Sequence, residues 1–256
     1  MKRILTALTV ASLAVLSSGT ASAYATYFDE DLHNSANTPI PAMPRSLAAQ
    51  ASFLSTLTGV STEDFESQAT GVVASLPLLF VGSAGPLTAT LSGGGGDSGV
   101  YDDHFNGRYS VPGGVKYWEA DANSTTPFTV TFGSDIAAFG FFGVDIGDFG
   151  GTFSIDLLDA AGGVLSNRSI AHTVGSNAST DGSVLYYGIR AEMGDALFRG
   201  IRFRTSGNGS DDFAFDSFTI GDACQAGLCP TTVPEPGSLA LVGLALLGLG
   251  AARRRV

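Results

Sequence analysis

The chain has few basic residues for its length. Its 256 residues include 13 Lys and Arg against 24 Asp and Glu, a formal net charge of −11. Two basic residues stand at the extreme N-terminus, and three more, with one acid, stand in the last two dozen residues. Without these ends, 8 basic residues face 23 acidic ones, a net charge of about −15. Such a body repels nucleic acid and anionic membrane surfaces, so nucleic acid is excluded as a partner and divalent cations or neutral glycans are expected.

Cysteine and histidine are also scarce. The two cysteines, Cys224 and Cys229, have no histidine near them and cannot by themselves make a structural zinc site, which needs four ligands. His33, His104 and His172 are scattered without the spacing of metal ligands. In an exported chain the cysteine pair instead predicts a small disulfide loop that closes the end of the domain.

The first 23 residues have the features of a secretory signal peptide. Lys2 and Arg3 form a basic start, an apolar stretch runs from Ile4 to Leu16, and small residues follow as far as the Ala-Ser-Ala at 21–23. This order predicts cleavage before Tyr24 and export into an oxidising compartment.

The C-terminus carries a second apolar segment. Residues 238–252 contain no charge, and as a helix of 15 residues they would span roughly 22 Å. A bilayer core is about 30 Å thick, so this segment is marginal as a permanent membrane helix. The three arginines that follow would stay on the cytoplasmic side. A short helix of this kind suits a segment that is held briefly in the membrane and then processed.

Pro234-Glu235-Pro236, the apolar run and the cluster Arg253, Arg254 and Arg255 together resemble the PEP-CTERM sorting signal of Gram-negative bacteria, over residues 233–256. The resemblance implies that an exosortase-type enzyme recognises the tail during transient insertion in the inner membrane. It also implies delivery to the cell surface or the extracellular matrix, and an association with exopolysaccharide and biofilm. It leaves open which bond is processed and whether the tail is removed or retained.

Between the two signals lie about 210 residues, enough for one sizeable domain. Residues 24–43 are polar and rich in proline, which predicts an extended arm. A short helix is then predicted from Pro44 to about Gly59. The residues on its predicted apolar face are Leu47, Ala51, Leu54 and Thr58.

After the helix the apolar period changes to two. Short β-rich runs such as "FGFFGVDIG" and "FAFDSFTIG" recur between Gly, Asp, Asn and Ser, and "LLDAAGGVL" predicts a hairpin. The pattern predicts an all-β, antiparallel sandwich of jelly-roll type over residues 44–222, with a disulfide loop and linker at 223–232. These runs also resemble the bodies of other PEP-CTERM surface proteins, which implies a lectin-like sandwich and no particular activity.

Nothing in the sequence predicts catalysis. "GGDSGV" is similar to the nucleophile motif of trypsin-like proteases, but too little chain precedes Ser98 to build two barrels with an upstream histidine and aspartate. Acidic residues are so frequent that a glycosidase-like pair arises by chance. We therefore expect a non-enzymatic surface or matrix protein, with a secreted glycan hydrolase as the least favoured alternative.

A carbohydrate-binding module is the nearer alternative. Aromatic residues cluster around a glycine-rich segment at 93–114, which the sequence predicts to be a long loop. Tyr101 and Tyr109 are the candidates for contact with a glycan, whereas Trp118 is expected to cover the core. The ligand and the oligomeric state are left open.

Acidic residues within apolar strand patterns predict a structural calcium ion. Calcium binds six to eight oxygen ligands and suits an acidic exported domain. Glu66 in "DFES" and Asp216 in "FAFDSF" are the candidate ligands, because the first and last strands of a sandwich often lie side by side. Asp145 in "FFGVDIGD" is a third candidate.

Overall fold

The computed structural model describes residues 24–111, 113–122, 127–175, 180–206 and 211–229. The predicted signal peptide at 1–23 and the sorting signal at 233–256, with its Pro-Glu-Pro and its arginines, lie outside the described residues. In the described ranges, no helix is both long and apolar enough to cross a membrane.

The described chain folds into one α-helix and fourteen β-strands. The helix α1 is Pro44–Leu54. The strands are β1 (Ala25–Asp31), β2 (Ser61–Glu63), β3 (Gly71–Val72), β4 (Ser75–Phe80), β5 (Leu87–Ser92), β6 (Gly99–Tyr101), β7 (Tyr117–Asp121), β8 (Thr129–Ile136), β9 (Ala138–Val144), β10 (Thr152–Leu158), β11 (Val164–Ile170), β12 (Val184–Arg190), β13 (Phe198–Ser206) and β14 (Asp212–Gly221).

The strands form two antiparallel sheets. One has the order β1-β12-β9-β14-β7-β6-β3, with β2 also paired to β14, and the other has the order β11-β10-β13-β8-β5-β4. From β8 onward the chain alternates between the two sheets, except at the β10–β11 hairpin, which lies within one sheet. Phenylalanines from both sheets meet in the middle, where the rings of Phe203 and Phe215 lie 5.0 Å apart and those of Phe141 and Phe203 lie 5.1 Å apart. The predicted antiparallel sandwich is therefore confirmed.

The burial pattern of each strand depends on whether one or both faces of its sheet are covered. In β8, Val130 and Phe132 are buried while Thr131 between them is exposed, as expected for a strand with one face on the core. Every residue of β9 is buried, and on the second face of its sheet α1, which packs mainly on β1 and β12, reaches β9 through Phe53. A central strand covered on both sides reads as a continuous apolar run rather than as an alternation.

The helix packs through a different face from the predicted one. Ser46, Ala49 and Phe53 are buried, whereas Leu47 is 39% exposed. The Phe53 ring lies over Gly188 of β12 and Gly140 of β9, which are paired in register. A Cβ at Gly140 would stand 2.7 Å from the ring, and one at Gly188 would stand 2.6 Å from it. The two glycines leave the groove that receives Phe53, and this groove fixes the orientation of the helix.

Two predicted irregular segments contain strands. Residues 24–43 are not wholly an extended arm, because β1 pairs along its full length with β12 at the edge of the larger sheet. The predicted loop at 93–114 includes β6, which pairs with β7. Both strands are short or carry many polar residues, so the composition of these segments does not distinguish an edge strand from a loop.

Two local predictions hold. The β10–β11 hairpin turns at Asp159, whose carboxylate accepts hydrogen bonds from the backbone N–H groups of Ala161 and Gly163 at 2.8 Å. Cys224 and Cys229 form a disulfide in the turn that follows β14. Both features depend on residues a few positions apart, which a sequence pattern can show.

Candidate metal centre

Four aspartates lie at one end of the larger sheet, where three neighbouring strands begin or end. Asp145 directly follows β9, Asp181 lies three residues before β12, and Asp211 directly precedes β14. The strands β12, β9 and β14 are adjacent in the sheet, and Val144 at the end of β9 is paired with both Val184 and Ala214. Because neighbouring strands are antiparallel, the end of β9 meets the starts of β12 and β14. Asp148 joins this group from the β9–β10 connection.

Three of these carboxylates are close enough to share an ion. Asp145, Asp148 and Asp181 each have an oxygen within 4.8 Å of the others. Within the described ranges, no other three acidic, histidine or cysteine side chains come together in this way. Two unit charges at that separation repel by about 3 kcal/mol at an effective dielectric constant of 20. The arrangement is costly while all three groups are ionised.

Burial adds to the cost. Asp145 is 2% exposed, and one oxygen, Oδ1, accepts a hydrogen bond from the backbone N–H of Gly182 at 2.8 Å. Burial raises the pKa of Asp145 to about 7; the Gly182 hydrogen bond acts against this rise, and the charges of Asp148 and Asp181 add to it. The pKa of Asp148 is raised too, first by burial and then by the charge of Asp211.

The pKa values of Asp181 and Asp211 are also raised. Burial, followed by the hydrogen bond and the charge of Asp148, raises the pKa of Asp181 to about 6. Burial and then the charge of Asp145 raise the pKa of Asp211 to about 6. Arg108 acts in the opposite direction on Asp145 and Asp211, but its Nε already donates to Glu119 Oε2 at 2.7 Å. One shared guanidinium does not neutralise the group.

Glu66 and Asp216 line one pocket of about 250 Å³, as their predicted proximity requires. Both carboxylates already accept hydrogen bonds from backbone N–H groups, however. Glu66 Oε1 accepts hydrogen bonds from the N–H groups of Val115 at 2.6 Å and Lys116 at 2.8 Å. Asp216 Oδ2 accepts from Val111 N–H at 2.8 Å and from the Ser110 hydroxyl at 3.0 Å. Their use as calcium ligands stays a prediction.

The three predicted ligands do not form one site. Asp145 does not line the pocket of Glu66 and Asp216, and its carboxylate groups with Asp148 and Asp181 instead. Asp148, Asp181 and Asp211 were not predicted from the sequence. Each stands beside the end of an apolar run, which is the one sequence signal they share with Asp145. That signal marks strand ends but does not show which strand ends meet.

The aromatic cluster is largely internal. Tyr109 is 3% exposed, with its hydroxyl bonded to Gly182 O and accepting from Ile40 N–H, so the prediction that it stacks on a glycan is wrong. Tyr101 is half-buried and stacks on Tyr117, with ring centroids 6.2 Å apart. Trp118 is fully buried, as predicted. A sugar ring needs an exposed aromatic face, and of the two candidates only Tyr101 retains part of one.

Several solved structures resemble the chain at low identity. The K2 cleaved adhesin domain of Lys-gingipain matches with a TM-score of 0.37 and 12% identity, over 64% of this chain and 98% of that domain. The endo-1,4-β-D-xylanase 10B of Clostridium thermocellum, solved with xylohexaose, matches with a TM-score of 0.32 and 12% identity, over 62% of this chain and 27% of that one. A family 29 carbohydrate-binding module matches with a TM-score of 0.28 and 14% identity, over 58% of this chain and 99% of the module.

At the level of sequence, no curated protein matches the chain. The model of the PEP-CTERM protein-sorting motif matches residues 232–255. This range includes the Pro-Glu-Pro, the apolar run and the three arginines. The chain therefore carries a PEP-CTERM sorting motif at its C-terminus.

Proposed function

We propose that this protein is a non-enzymatic domain that is exported, sorted through its PEP-CTERM motif by an exosortase-type enzyme, and delivered to the cell surface or the exopolysaccharide matrix of a Gram-negative bacterium. The observation that carries the proposal is the motif at residues 232–255, which directly follows an acidic β-sandwich. The apolar run within it serves as a transient inner-membrane anchor.

Two features of the folded domain support export. Tyr24 is the residue predicted to follow signal-peptide cleavage, and it is packed into the domain. Tyr24 is 6% exposed, and its hydroxyl donates to Ala196 O at 2.8 Å, so the domain uses the chain from its first mature residue. The Cys224–Cys229 disulfide lies just ahead of the motif and is typical of an oxidising compartment.

The hydrogen bonds of Glu66 and Asp216, two carboxylates that line one pocket, support a non-enzymatic role. A glycosidase needs two carboxyl groups that reach the scissile bond from opposite sides. Asp216 is 1% exposed, with both oxygens bonded to backbone or serine groups, and Glu66 holds the backbone of Val115 and Lys116. These two acids fasten loops to the sandwich, and we propose no reaction for them.

Direct glycan binding through the aromatic cluster receives less support than the sorting role. Tyr109 is buried, and the Tyr101 hydroxyl is used in a hydrogen bond to Asp97 O at 2.6 Å. Among the described residues, Phe105 is the one aromatic side chain that is more than half exposed, and the Arg108 guanidinium lies over its ring. We therefore propose that the sorting signal, and not an aromatic binding face, delivers the protein to the matrix.

The proposal is tested by replacing Pro234, Glu235 and Pro236 with alanine in the full-length chain, expressed in a bacterium that has the processing enzyme. We expect the variant to stay in the membrane fraction at its full length. The wild type should instead be found outside the inner membrane with an altered C-terminus, as read by mass spectrometry of the intact protein.

A matched control is Thr231→Ala, which lies immediately before the motif match. It should be processed like the wild type. Processing of the Pro-Glu-Pro variant at the wild-type rate would refute the sorting role of the motif.

A further inference from the structure

We propose that Asp145, Asp148 and Asp181 bind one calcium ion at the end of the sandwich where β9, β12 and β14 meet. The three side chains each offer an oxygen within 4.8 Å of the others. Asp145 and Asp148 lie three residues apart in the connection after β9, and the pairing of β9 with β12 brings Asp181 beside them. This site differs from the predicted site at Glu66 and Asp216.

Two oxygens without a hydrogen-bond partner point to a ligand, one in the cluster itself and one, the Thr180 hydroxyl, outside it. Asp148 Oδ1 is enclosed and has no hydrogen-bond partner. The Thr180 hydroxyl also has none, in a residue that is 4% exposed. This hydroxyl lies 3.1 Å from the point where a Cβ on Gly147 would stand, so it faces the loop that joins Asp145 to Asp148. Buried polar oxygens in folded proteins are normally bonded, and a cation satisfies oxygens that no N–H or O–H group reaches.

The donor set favours calcium over other divalent cations. All the atoms are carboxylate or hydroxyl oxygens, whereas zinc prefers nitrogen and sulfur. Calcium–oxygen distances are 2.3–2.6 Å, so two ligands on opposite sides of the ion stand about 4.6–5.2 Å apart. The three carboxylate oxygens lie within 4.8 Å of one another, as ligands of one such ion can. Magnesium, with distances of 2.0–2.1 Å, needs a tighter set and more bound water.

The ion would fasten the β9–β10 connection, which carries Asp148, to the end of β9 and to the segment that leads into β12. Gly182 N–H donates to Asp145 Oδ1, which already ties the approach to β12 to the end of β9. Asp211 adds the start of β14 to the same acidic group. Binding would exchange the mutual repulsion of the aspartates for attraction to a common positive charge.

The test uses protein purified after export from cells that make the full-length chain, stripped with EDTA and dialysed. Calcium chloride at 10 mM should raise the melting temperature by about 5–10 °C if the dissociation constant is about 0.1 mM. The double variant Asp148→Asn/Asp181→Asn should shift by less than about 1 °C, because it keeps the shape of both side chains and removes two charges.

The matched control is Asp97→Asn/Asp102→Asn, which removes two exposed acids elsewhere on the chain. It should respond to calcium like the wild type. No shift in the wild type would overturn the site. A wild-type shift in the Asp148→Asn/Asp181→Asn variant would overturn the assignment to these residues. An equal shift with magnesium chloride would overturn the choice of calcium.

If the double variant does not fold, Asp181→Asn alone decides the matter, because Asp181 is only half-buried and tolerates substitution more easily. Isothermal titration with calcium chloride should then show at least a tenfold weaker dissociation constant than in the wild type. An unchanged constant would refute the proposal.

Discussion

Two buried aspartates on opposite sheets have the same exposure and opposite surroundings. Asp145, at the end of the larger sheet, and Asp156, in β10 of the smaller sheet, are each 2% exposed. Asp156 Oδ2 accepts from Arg202 at 2.6 Å and 3.1 Å, and Oδ1 accepts from the Asn167 amide at 2.7 Å. Asp145 has one backbone N–H on Oδ1 and two further aspartates within ion-sharing distance.

The pKa shifts of the two groups run in opposite directions. Burial acts to raise the pKa of both. In Asp156 the hydrogen bond from Asn167 and the guanidinium of Arg202 outweigh burial, and the pKa is lowered. In Asp145 the neighbouring acids add to burial, and the pKa is raised to about 7. The same exposed fraction therefore does not set the charge state, because Asp145 lies deeper in the fold and its neighbours are acids instead of a guanidinium. A cation at Asp145 would do what Arg202 does at Asp156.

Among substitutions compared at a single pH, the largest expected effect comes from removing the arginine that neutralises Asp156. Arg202→Met keeps the apolar stem but leaves Asp156 buried without its guanidinium. Removing one partner of a buried ion pair costs about 3–5 kcal/mol, and since the Arg202 side chain is 28% exposed we expect about 2–3 kcal/mol. The free energy of unfolding from urea titrations measures this.

Arg204→Met is the control within the same network. Its Nη1 lies 3.5 Å from Asp156 Oδ2 and its side chain is 47% exposed, so the loss should be about 0.5 kcal/mol or less. Equal losses in the two variants would show that Asp156 does not depend on a particular guanidinium.

A third buried aspartate sharpens the comparison, because its direct hydrogen-bond donors are neutral. Burial raises the pKa of Asp216 to about 8 against the bonds from Val111, Ser217 and Ser110, and the charge of Asp64 adds to the rise. The ordinary value is about 3.9, so the folded state binds the extra proton between about pH 4 and 8. The free energy of unfolding should therefore fall as pH rises through that window, by at most about 1.4 kcal/mol per pH unit from this group.

Asp216→Asn should reduce the dependence of the free energy of unfolding on pH. This holds whatever stability the variant loses at a single pH through the missing hydrogen-bond acceptor. Urea titrations at pH 5 and pH 8 in EDTA, on wild type and variant, give the difference. The exposed Asp102→Asn serves as the control and should keep the wild-type slope. If Asp216→Asn keeps it as well, Asp216 titrates near its ordinary pKa and the burial argument is wrong.

The smallest expected effect comes from placing a lysine within the aspartate cluster at the end of the larger sheet. Asp181→Lys places an ammonium group beside Asp145 and Asp148, and we expect about 1 kcal/mol of added stability in EDTA, since side-chain ordering offsets part of the attraction. Asp102→Lys makes the same charge change at an exposed site and should stay within about 0.5 kcal/mol of the wild type. A loss of stability confined to Asp181→Lys would contradict the parallel with Arg202.

The start of the helix could be predicted from the sequence, whereas its buried face could not. Its start at Pro44 is local and was predicted, because proline suits the first turn of a helix. Its buried face was not predicted, because the helical period allows several faces and Phe53 was not placed on the chosen one. What selects the face is the groove over Gly140 and Gly188, two residues that are 48 positions apart and adjacent only in the sheet.

The acidic site likewise contains one residue that could be identified from the sequence and others that could not. Asp145 was identified because an acid inside an apolar run is visible in the sequence. Its partners were not, because Asp148, Asp181 and Asp211 matter only once β12, β9 and β14 are known to be neighbours. The predicted partners Glu66 and Asp216 do share a pocket, so the expected proximity of early and late strands was sound, but backbone N–H groups already hold both carboxylates.

The sequence by itself determined the sorting motif, the signal-peptide pattern, the disulfide pair, the β10–β11 hairpin and the class of fold. Each rests on residues close together in the chain or on a period that repeats along it. Tertiary structure alone decided which aspartates meet, which are paired with arginine and which aromatic rings are buried. Charge and burial depend on distances of a few ångströms between groups far apart in sequence, and strand order fixes those distances.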